Sequence, residues 1–288
     1  RPISFSFNGR RYLGYQGDTL ASALVANGVR LIGRSFKYHR PRGIFGSGAE
    51  EPNALVQVGE GARTVPNLKA TQVELFEGLT ARTINGWPNL HLDLYGISDK
   101  LGGLLPAGFY YKTFMWPRGW WARYERHIRK AAGLGRAPID ADPDHYDKRD
   151  VHCDVMVVGA GPAGLMAALS AGRSGATVII ADEQSEFGGS LLSGTGTVSS
   201  QPLASWLDGV VEALSAMPEV RLLPRSTVTG YYDHNFLVID ERRTDHLARP
   251  DPRVSRERLW RVRAGQVVLA TGAIERGLVF ADNDRPGV

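Results

Sequence analysis

The chain has 288 residues, 43% of them hydrophobic, which suits about two domains with buried cores. No apolar run approaches the roughly 20 residues of a membrane span, and Arg1-Pro2-Ile3 shows no signal-peptide pattern, so we expect a cytoplasmic protein without a membrane partner. A single cysteine excludes an internal disulfide and a cluster held by four thiolates. The 34 basic and 30 acidic residues give a net charge of +4 without a nucleic-acid-binding motif, so we expect no nucleic-acid partner.

Residues 1–80 show the element order of a small sheet domain. Ile3 to Phe7 alternates, Asn8-Gly9 turns, and Arg10 to Tyr15 returns, which predicts a hairpin. A helix is predicted to follow, capped by Asp18, buried through Leu20, Leu24 and Val25, and ended by Gly28. Ala54–Val58 and Val73–Phe76 are predicted as later strands. Hairpin, helix and further strands are the order of a β-grasp, ferredoxin-like domain.

The loop after this helix is where plant-type ferredoxin domains carry their cluster cysteines. We place it at Gly33–Gly43, which contains no cysteine but has several basic and aromatic residues. Two interpretations remain open. The loop could hold an anionic cofactor or partner, or it could fill an emptied cluster site and pack on a neighbouring domain. We favour the second because arginines also serve interfaces well.

The middle segment, 81–150, is too aromatic for a flexible linker. We expect it to wrap over the domains or to lie under another subunit, with a helix over Trp120–Ala132. Gly133–Asp150 is polar and is predicted to connect into the second domain. The histidines of this region share no metal-ligand spacing, so no metal site is predicted. They are His127, His145 and His152.

A strand, a glycine turn, a helix and a second strand are predicted from Cys153 to Glu183. Gly159, Gly161 and Gly164 form G-x-G-x-x-G directly after an apolar strand, the pattern of a turn that approaches a pyrophosphate. Asp182 and Glu183 follow the second strand, about 20 residues on, where an acid binds a ribose hydroxyl. The acidic pair argues against NADP, because a 2′-phosphate would meet like charge.

The remaining sequence predicts the rest of a dinucleotide-binding domain within 151–288. Glycines at 188 and 189 would let a loop pass close to a cofactor, and Pro202–Met217 is an amphipathic helix. A strand at Val220–Leu223 and a three-stranded meander precede an apolar strand ending in Ala270-Thr271-Gly272. Glycine turn, acid and A-T-G occur in this order in two-dinucleotide flavoproteins. We expect this Rossmann-like domain to be incomplete at Val288, as part of a longer polypeptide.

Several long stretches resemble one family, the α subunit of heterotetrameric sarcosine oxidase. The matching stretches are RSFKYHRPRGIF (34–45), EEPNALVQVG (50–59), PAGFYYKTFMWP (106–117), VVGAGPAGL (157–165), ADEQSEFGGSLL (181–192) and VVLATGAIERGLVFADNDRPGV (267–288). The resemblance implies a cluster-less ferredoxin-like domain, then a nucleotide-binding domain, then a folate-binding C-terminal domain that this sequence lacks.

The resemblance also implies cofactors and partners. This chain would bind NAD and help to form an FMN site at a subunit interface, with β, γ and δ subunits as partners. FAD and zinc would lie in partner subunits, and tetrahydrofolate in the missing domain. The complex would demethylate sarcosine oxidatively to glycine, with formaldehyde or methylene-tetrahydrofolate and hydrogen peroxide as the other products. The oxidation itself would occur in a partner subunit, so no catalytic residue is predicted in this chain.

The resemblance assigns site residues by position. Four residues of the glycine turn would face the pyrophosphate, the acidic pair would bind the adenosine ribose, two residues would line the adenine side, and two would lie on the far strand. They are, in that order, Gly159, Gly161, Ala163 and Gly164; Asp182 and Glu183; Ser190 and Val228; and Thr271 and Gly272. Lys37, His39 and Arg40 become candidates for contacts with the flavin phosphate or with the interface.

Other functions remain open at this point. The same cradle would hold FAD in an FAD-dependent oxidoreductase that works alone, although the chain lacks a redox cysteine pair. The substrate could be another N-methyl or opine-type amino acid. A pure interaction protein is disfavoured, because the ribose acid would then have no purpose.

Overall fold

The computed structural model of the protein describes residues 1–102, 108, 114–274, 277–283 and 285–286. The chain divides into two compact units: Arg1–Pro143 together with Arg276–Val288, and Asp144–Glu275. The sequence instead predicts three segments, 1–80, 81–150 and 151–288. The units differ from them because 81–143 lies with the first unit and because a strand of the second unit begins at Tyr146.

The first unit is built on a five-stranded mixed sheet that confirms the ferredoxin-like prediction. Its strand order is β2-β1-β7-β5-β6, with β1 antiparallel to β2 and parallel to β7. The helix α1 follows the predicted hairpin, and inward-facing Ile3, Phe5 and Phe7 of β1 lie in one core with it. The elements are β1 Pro2–Phe7, β2 Arg10–Tyr15, α1 Leu20–Ala26, β5 Leu55–Val58, β6 Val65–Lys69 and β7 Thr80–Thr83.

The helix α1 is capped differently from the prediction. Thr19, not Asp18, is the N-cap: its hydroxyl accepts from Ser22 N and its own N–H donates to Ser22 Oγ, which closes a capping box. The carboxylate of Asp18 accepts from Tyr15 N in the preceding turn and from the Ser22 hydroxyl, but from no backbone N–H of the helix. Val25 is exposed rather than buried. Gly28, with φ +75°, lies just beyond the C-cap, where the sequence predicts the end of the helix.

One strand predicted for the five-stranded sheet is absent, and two strands of that sheet were not predicted. Val73–Phe76 forms no strand; only an isolated bridge joins Thr19 to Glu74. Val73 and Leu75 nevertheless point into the core. The alternating pattern therefore reflects the burial of these side chains, although the segment does not pair with a strand. The sheet uses β6 and β7 instead.

The rest of the first unit consists of short elements. The strands β3 (Gly33–Arg34) and β4 (Pro41–Arg42) form a small hairpin, and α2 spans Ile97–Lys100. The predicted helix at Trp120–Ala132 is confirmed as α3, Trp121–Ala132, which ends at left-handed Gly133. Most of the stretch 106–117, whose sequence carries part of the resemblance, lies outside the described residues, as do five positions of 267–288.

The second unit is a six-stranded sheet in the order β12-β9-β8-β15-β14-β13. The strands β12, β9, β8 and β15 are parallel, and β14 and β13 continue antiparallel, which confirms the Rossmann-like prediction. Helices α4 and α5 pack against β8 and β9 around Val157, Leu165 and Ile180. The elements are β8 Tyr146–Val158, α4 Pro162–Arg173, β9 Val178–Ala181, β10 Thr197–Val198, β11 Gln201–Pro202, α5 Leu203–Ser215, β12 Val220–Leu223, β13 Ser226–Tyr232, β14 Phe236–Arg242 and β15 Glu257–Leu269.

Two strands of this sheet are longer than predicted. The strand β8 begins at Tyr146, within the predicted polar connector, and β15 joins two predicted strands into one. Their charged halves lie side by side, and Arg258 pairs with Asp147 at 2.9 Å and Arg261 with Asp150 at 2.7 Å. These cross-strand ion pairs explain why the polar residues at the start of β8 can form a paired strand with β15. In the part of the chain that the structure describes, no helix is long and apolar enough to cross a membrane.

Candidate functional site

The turn after β8 requires glycine at its first position. Gly159 has φ +96°, and a Cβ there would lie 2.4 Å from the carbonyl oxygen of Ala270. Its N–H donates to Ala181 O at 2.8 Å, and Ala270 N donates to Val158 O at 2.8 Å. The turn is therefore fixed between the carboxyl ends of β9 and β15, which leaves no room for a side chain.

The other two glycines of the turn have opposite surroundings. A Cβ on Gly164 would lie 1.9 Å from Gly159 O, so this glycine permits close packing of the helix on the turn. Gly161 is the N-cap of α4, and a Cβ there would meet no atom within 4 Å. The exposed Ala163 belongs to the first helical turn, whose N–H groups have no acceptor within the helix. This open face with free donors has the character of a pyrophosphate cradle.

A second glycine pair lies against the same turn. Gly188 N donates to Ala160 O at 2.9 Å, which holds the loop on the turn. Gly189 has φ +52°, and a Cβ there would come within 3.1 Å of Gly161 Cα. Ser190 follows in an exposed 3₁₀ turn, Gly189–Leu191. The pair thus borders the open face at Gly161, and its approach to a cofactor stays a prediction.

The two acids beyond β9 do different things. Asp182 accepts from Ala160 N at 2.7 Å through Oδ2 and from Gln184 N at 2.9 Å through Oδ1. Both of its oxygens therefore bind backbone groups, one of them in the glycine turn. The carbonyl of Glu183 accepts from Arg242 Nη2 at 2.9 Å, but its carboxylate makes no hydrogen bond or ion pair with any residue that the structure describes. Among the residues that the structure describes, the Glu183 carboxylate thus has no partner, whereas both Asp182 oxygens are already bound to backbone N–H groups.

The remaining predicted residues lie on the same edge of the sheet. Ser226 N donates to Asp182 O at 2.7 Å, which places the start of β13 next to the acids, and half-buried Val228 follows two residues further along this strand. Thr271 and Gly272 are exposed and follow the end of β15 beside β8. Ligands of open α/β sheets bind at the carboxyl ends of the strands. That these ten residues contact a nucleotide stays a prediction.

The predicted cofactor contacts in the first unit are largely engaged within it. Nδ1 of His39 lies 2.6 Å from Asp93 Oδ2, and both side chains are almost completely buried. Arg40 Nε donates to Asp99 Oδ1 at 2.6 Å. Lys37 Nζ lies 4.6 Å from the ring centroid of Tyr38. These contacts occupy the side chains that an open anion site would need. They lie within the loop's own unit, whereas the sequence predicts that the loop packs on a neighbouring domain.

Cys153 has the properties of a packing residue. It is buried near the middle of β8. Burial, followed by the charge of Asp154, raises the pKa of its thiol to about 11. The thiol therefore stays protonated at neutral pH and is a poor nucleophile. Among the described residues, no three His, Cys, Asp or Glu side chains are grouped so as to hold a metal ion.

Sequence reasoning missed the residues that position the acids. Arg242, at the end of β14, and Ser226 bind main-chain oxygens of Glu183 and Asp182 from more than 40 residues away. No local spacing points to them. The unequal roles of Asp182 and Glu183 were also missed, because adjacent carboxylates look alike in a sequence.

Family comparisons agree with both halves of this architecture. A family described as a 2Fe-2S iron-sulfur cluster binding domain matches residues 1–86. A family described as an FAD dependent oxidoreductase matches residues 154–255. L-proline dehydrogenase from P. horikoshii has a similar fold, with a TM-score of 0.62 at 20% identity over 100% of this chain and 44% of that chain. The chain therefore combines a ferredoxin-like domain with a Rossmann-like domain that is similar to FAD dependent oxidoreductases.

Curated relatives make the comparison more specific. Sarcosine oxidase subunit alpha of Rhizobium meliloti (strain 1021) is 55% identical over 288 residues, which are 100% of this chain and 29% of that protein. The corresponding subunit of Corynebacterium sp. (strain U-96) is 41% identical over 291 residues, 99% of this chain and 25% of that protein. The resemblance to the N-terminal portion of sarcosine oxidase α subunits is thus confirmed. The chain spans less than a third of the length of these relatives.

Proposed function

We propose that the second unit binds NAD, with its adenosine ribose on Glu183 and its pyrophosphate over Gly161. One observation carries the proposal: Glu183 holds an unengaged carboxylate at the edge where the glycine turn leaves an open face. A ribose diol offers two hydroxyl donors to such a carboxylate. A 2′-phosphate would meet the same negative charge, which favours NAD over NADP.

Asp182 supports this site without touching the ribose. Its carboxylate fixes the N–H of Ala160 and so holds the turn in the shape that exposes Gly161. Arg242 holds the main chain of Glu183 from the other side. Bound NAD would supply either a hydride acceptor or a purely structural adenosine group, and the residues of this chain bind and orient it in both cases.

We propose further that this subunit works in a sarcosine-oxidising complex of the heterotetrameric kind. The two relatives described above are α subunits of sarcosine oxidase, which supports other subunits as partners. In this proposal β, γ and δ subunits carry FAD and zinc, FMN lies at an interface with this subunit, and tetrahydrofolate binds in a further domain. The complex is cytoplasmic, and it converts sarcosine to glycine, a one-carbon product and hydrogen peroxide.

A second candidate is an FAD-dependent oxidoreductase acting on another N-methyl or opine-type amino acid. The match of residues 154–255 to the FAD dependent oxidoreductase family favours it. FAD contains the same adenosine and pyrophosphate groups as NAD, so the same turn and the same acid would bind it.

The test is to purify the native complex through this chain, to denature it, and to identify the released nucleotides and the subunit masses by mass spectrometry. The expected result is NAD together with FAD and FMN, from four subunits. A parallel preparation carrying Gly161→Val should lose NAD alone. If that preparation loses FAD instead, the glycine turn holds the flavin and the second candidate replaces the first.

A further inference from the structure

The first unit contains a fully buried carboxylate that the proposed function does not use. Glu51 has no exposed surface, and it lies in the segment that leads into β5. Its Oε2 accepts from Phe45 N at 2.6 Å and from Gly46 N at 2.5 Å. Its Oε1 accepts from Asn53 N at 2.6 Å and from Ala54 N at 3.0 Å. Four backbone N–H groups of one loop therefore converge on the Glu51 carboxylate.

The positions around this carboxylate have a specific spacing. Plant-type 2Fe–2S clusters are held by cysteines in a C-x4-C-x2-C run, and hydrogen bonds to the cluster sulfurs tune it. Gly46, Glu51 and Ala54 have this spacing, and the family that matches residues 1–86 is described as cluster binding. The main chain at both outer positions donates to the carboxylate at the middle one.

The residues present do not fit a cluster. None of the three positions is a cysteine, and the one cysteine of the chain lies in the other unit. We infer that residues 44–54 form the loop that surrounds the cluster in cluster-binding domains, and that the Glu51 carboxylate takes the cluster's place as the shared acceptor of its N–H groups. The loop at Gly33–Gly43, where the sequence places the emptied cluster site, is a separate structure with its own acid partners.

The geometry also shows which side chains the loop would accept. The three atoms nearest to a Cβ on Gly46 would all belong to the side chain of Glu50, at 2.9 to 3.2 Å, and Gly46 does not have a left-handed φ. A cysteine at position 46 would therefore displace a flexible side chain rather than the backbone. Ala54 and Glu51 are completely buried, so thiols there would share one interior space.

The first experiment restores the three thiols in the full chain, as G46C/E51C/A54C. The probe is Co²⁺, whose thiolate complexes absorb by charge transfer. The variant should bind one Co²⁺ at least about a hundredfold more tightly than the control S47C/E50C/N53C, because only its thiols converge on one point. Cys153 is common to both proteins and stays protonated, since the pKa of its thiol is about 11. Equal or absent Co²⁺ binding in the two folded variants would overturn the assignment of the loop.

The second experiment needs no new ligand and decides the matter if the cysteine variants do not fold. Glu51→Gln removes the charge and two acceptor positions, so amide hydrogen exchange at Phe45, Gly46, Asn53 and Ala54 should accelerate about tenfold or more. Glu50→Gln is the control, because water can replace the bonds of that more accessible carboxylate. Failure of Glu51→Gln alone to fold would support the inference, whereas unchanged exchange at the four amides would overturn it.

Discussion

Glu51 in the first unit and Asp182 in the second both gather backbone N–H groups of a loop onto one carboxylate. Glu51 accepts four such bonds and is fully buried, so its loop is closed around it. Asp182 accepts two, is partly exposed, and lies beside an open face at Gly161. The same arrangement, a carboxylate that accepts from backbone N–H groups of a loop, therefore has two different structural results. When a carboxylate binds the N–H groups inside a loop, as Glu51 does, those groups cannot bind a ligand. When it binds only the base of the loop, as Asp182 does, the other N–H groups of the loop stay available to a ligand.

The largest effect on stability and binding should come from Gly164→Ala, which changes the packing of helix α4 on the glycine turn. The new Cβ would lie 1.9 Å from Gly159 O, so the helix must separate from the turn. We expect a loss of about 3 kcal/mol or more in the free energy of unfolding, with nucleotide binding lost as well. Chemical denaturation and nucleotide titration measure the two. Gly209→Ala on α5 is the control, since its Cβ meets nothing within 4 Å and helix propensity should stabilise it slightly. Equal stability of the two variants would contradict the packing role.

Gly161→Val should remove binding and leave the fold intact. Gly161 has φ −71° and ψ −175°, which valine adopts readily, and its Cβ position is open in the protein itself. The side chain would occupy the place of the pyrophosphate, so the Kd for NAD should rise more than a hundredfold. Calorimetric titration and thermal unfolding would be compared. Wild-type affinity in this variant would remove the site from the glycine turn.

The two acids should separate into a structural and a binding residue. Asp182→Asn weakens the bonds that hold the turn and should lower the free energy of unfolding by about 1–2 kcal/mol. Glu183→Gln should leave stability unchanged, raise the Kd for NAD about tenfold and reduce discrimination against NADP. Denaturation and binding are measured on both variants, each serving as the control of the other. Interchanged results would mean that Asp182 holds the ribose.

The smallest effect should appear at Glu257, on the charged half of β15. Burial, followed by the nearby Asp240 and Asp245, raises the pKa of its carboxyl group. A carboxyl whose pKa is raised by folding binds its proton more tightly in the native state, so its ionised form opposes folding above that pKa. Glu257→Gln should therefore stabilise the protein slightly at pH 7, and the gain should vanish as the pH falls to about 4. Exposed Glu212→Gln is the control and should show no such trend in pH-dependent denaturation. A stability gain of Glu257→Gln that increases as the pH falls would contradict a raised pKa for Glu257.

The sequence predicted features that depend on neighbours along the chain. Gly159, Gly161 and Gly164 lie within six residues, and their turn, strand and helix can be derived from local rules. The first hairpin and helix α3 are equally local. The glycine turn, its second glycine pair and the acids could therefore be assigned to one predicted cofactor site from the sequence alone.

The features that the sequence did not reveal depend on distant partners. The charged half of β8 looked like a connector because its ion pairs come from β15, more than 100 residues away. The sequence gives no sign that Glu51 is buried, because its burial depends on how the chain folds back at Phe45 and Ala54. Asp182 and Glu183 could not be told apart because the difference lies in which backbone groups reach them. Each case needs the three-dimensional position of a donor or a cation.

The single thiol of the chain has a consequence for chemical durability. Peroxide attacks the thiolate form of cysteine, and the reaction proceeds through sulfenic acid to irreversible products. Cys153 is buried and protonated, with the pKa of its thiol at about 11. These 288 residues, proposed to work beside a continuous source of hydrogen peroxide, thus offer that oxidant no accessible thiolate, and we expect no cysteine oxidation within them.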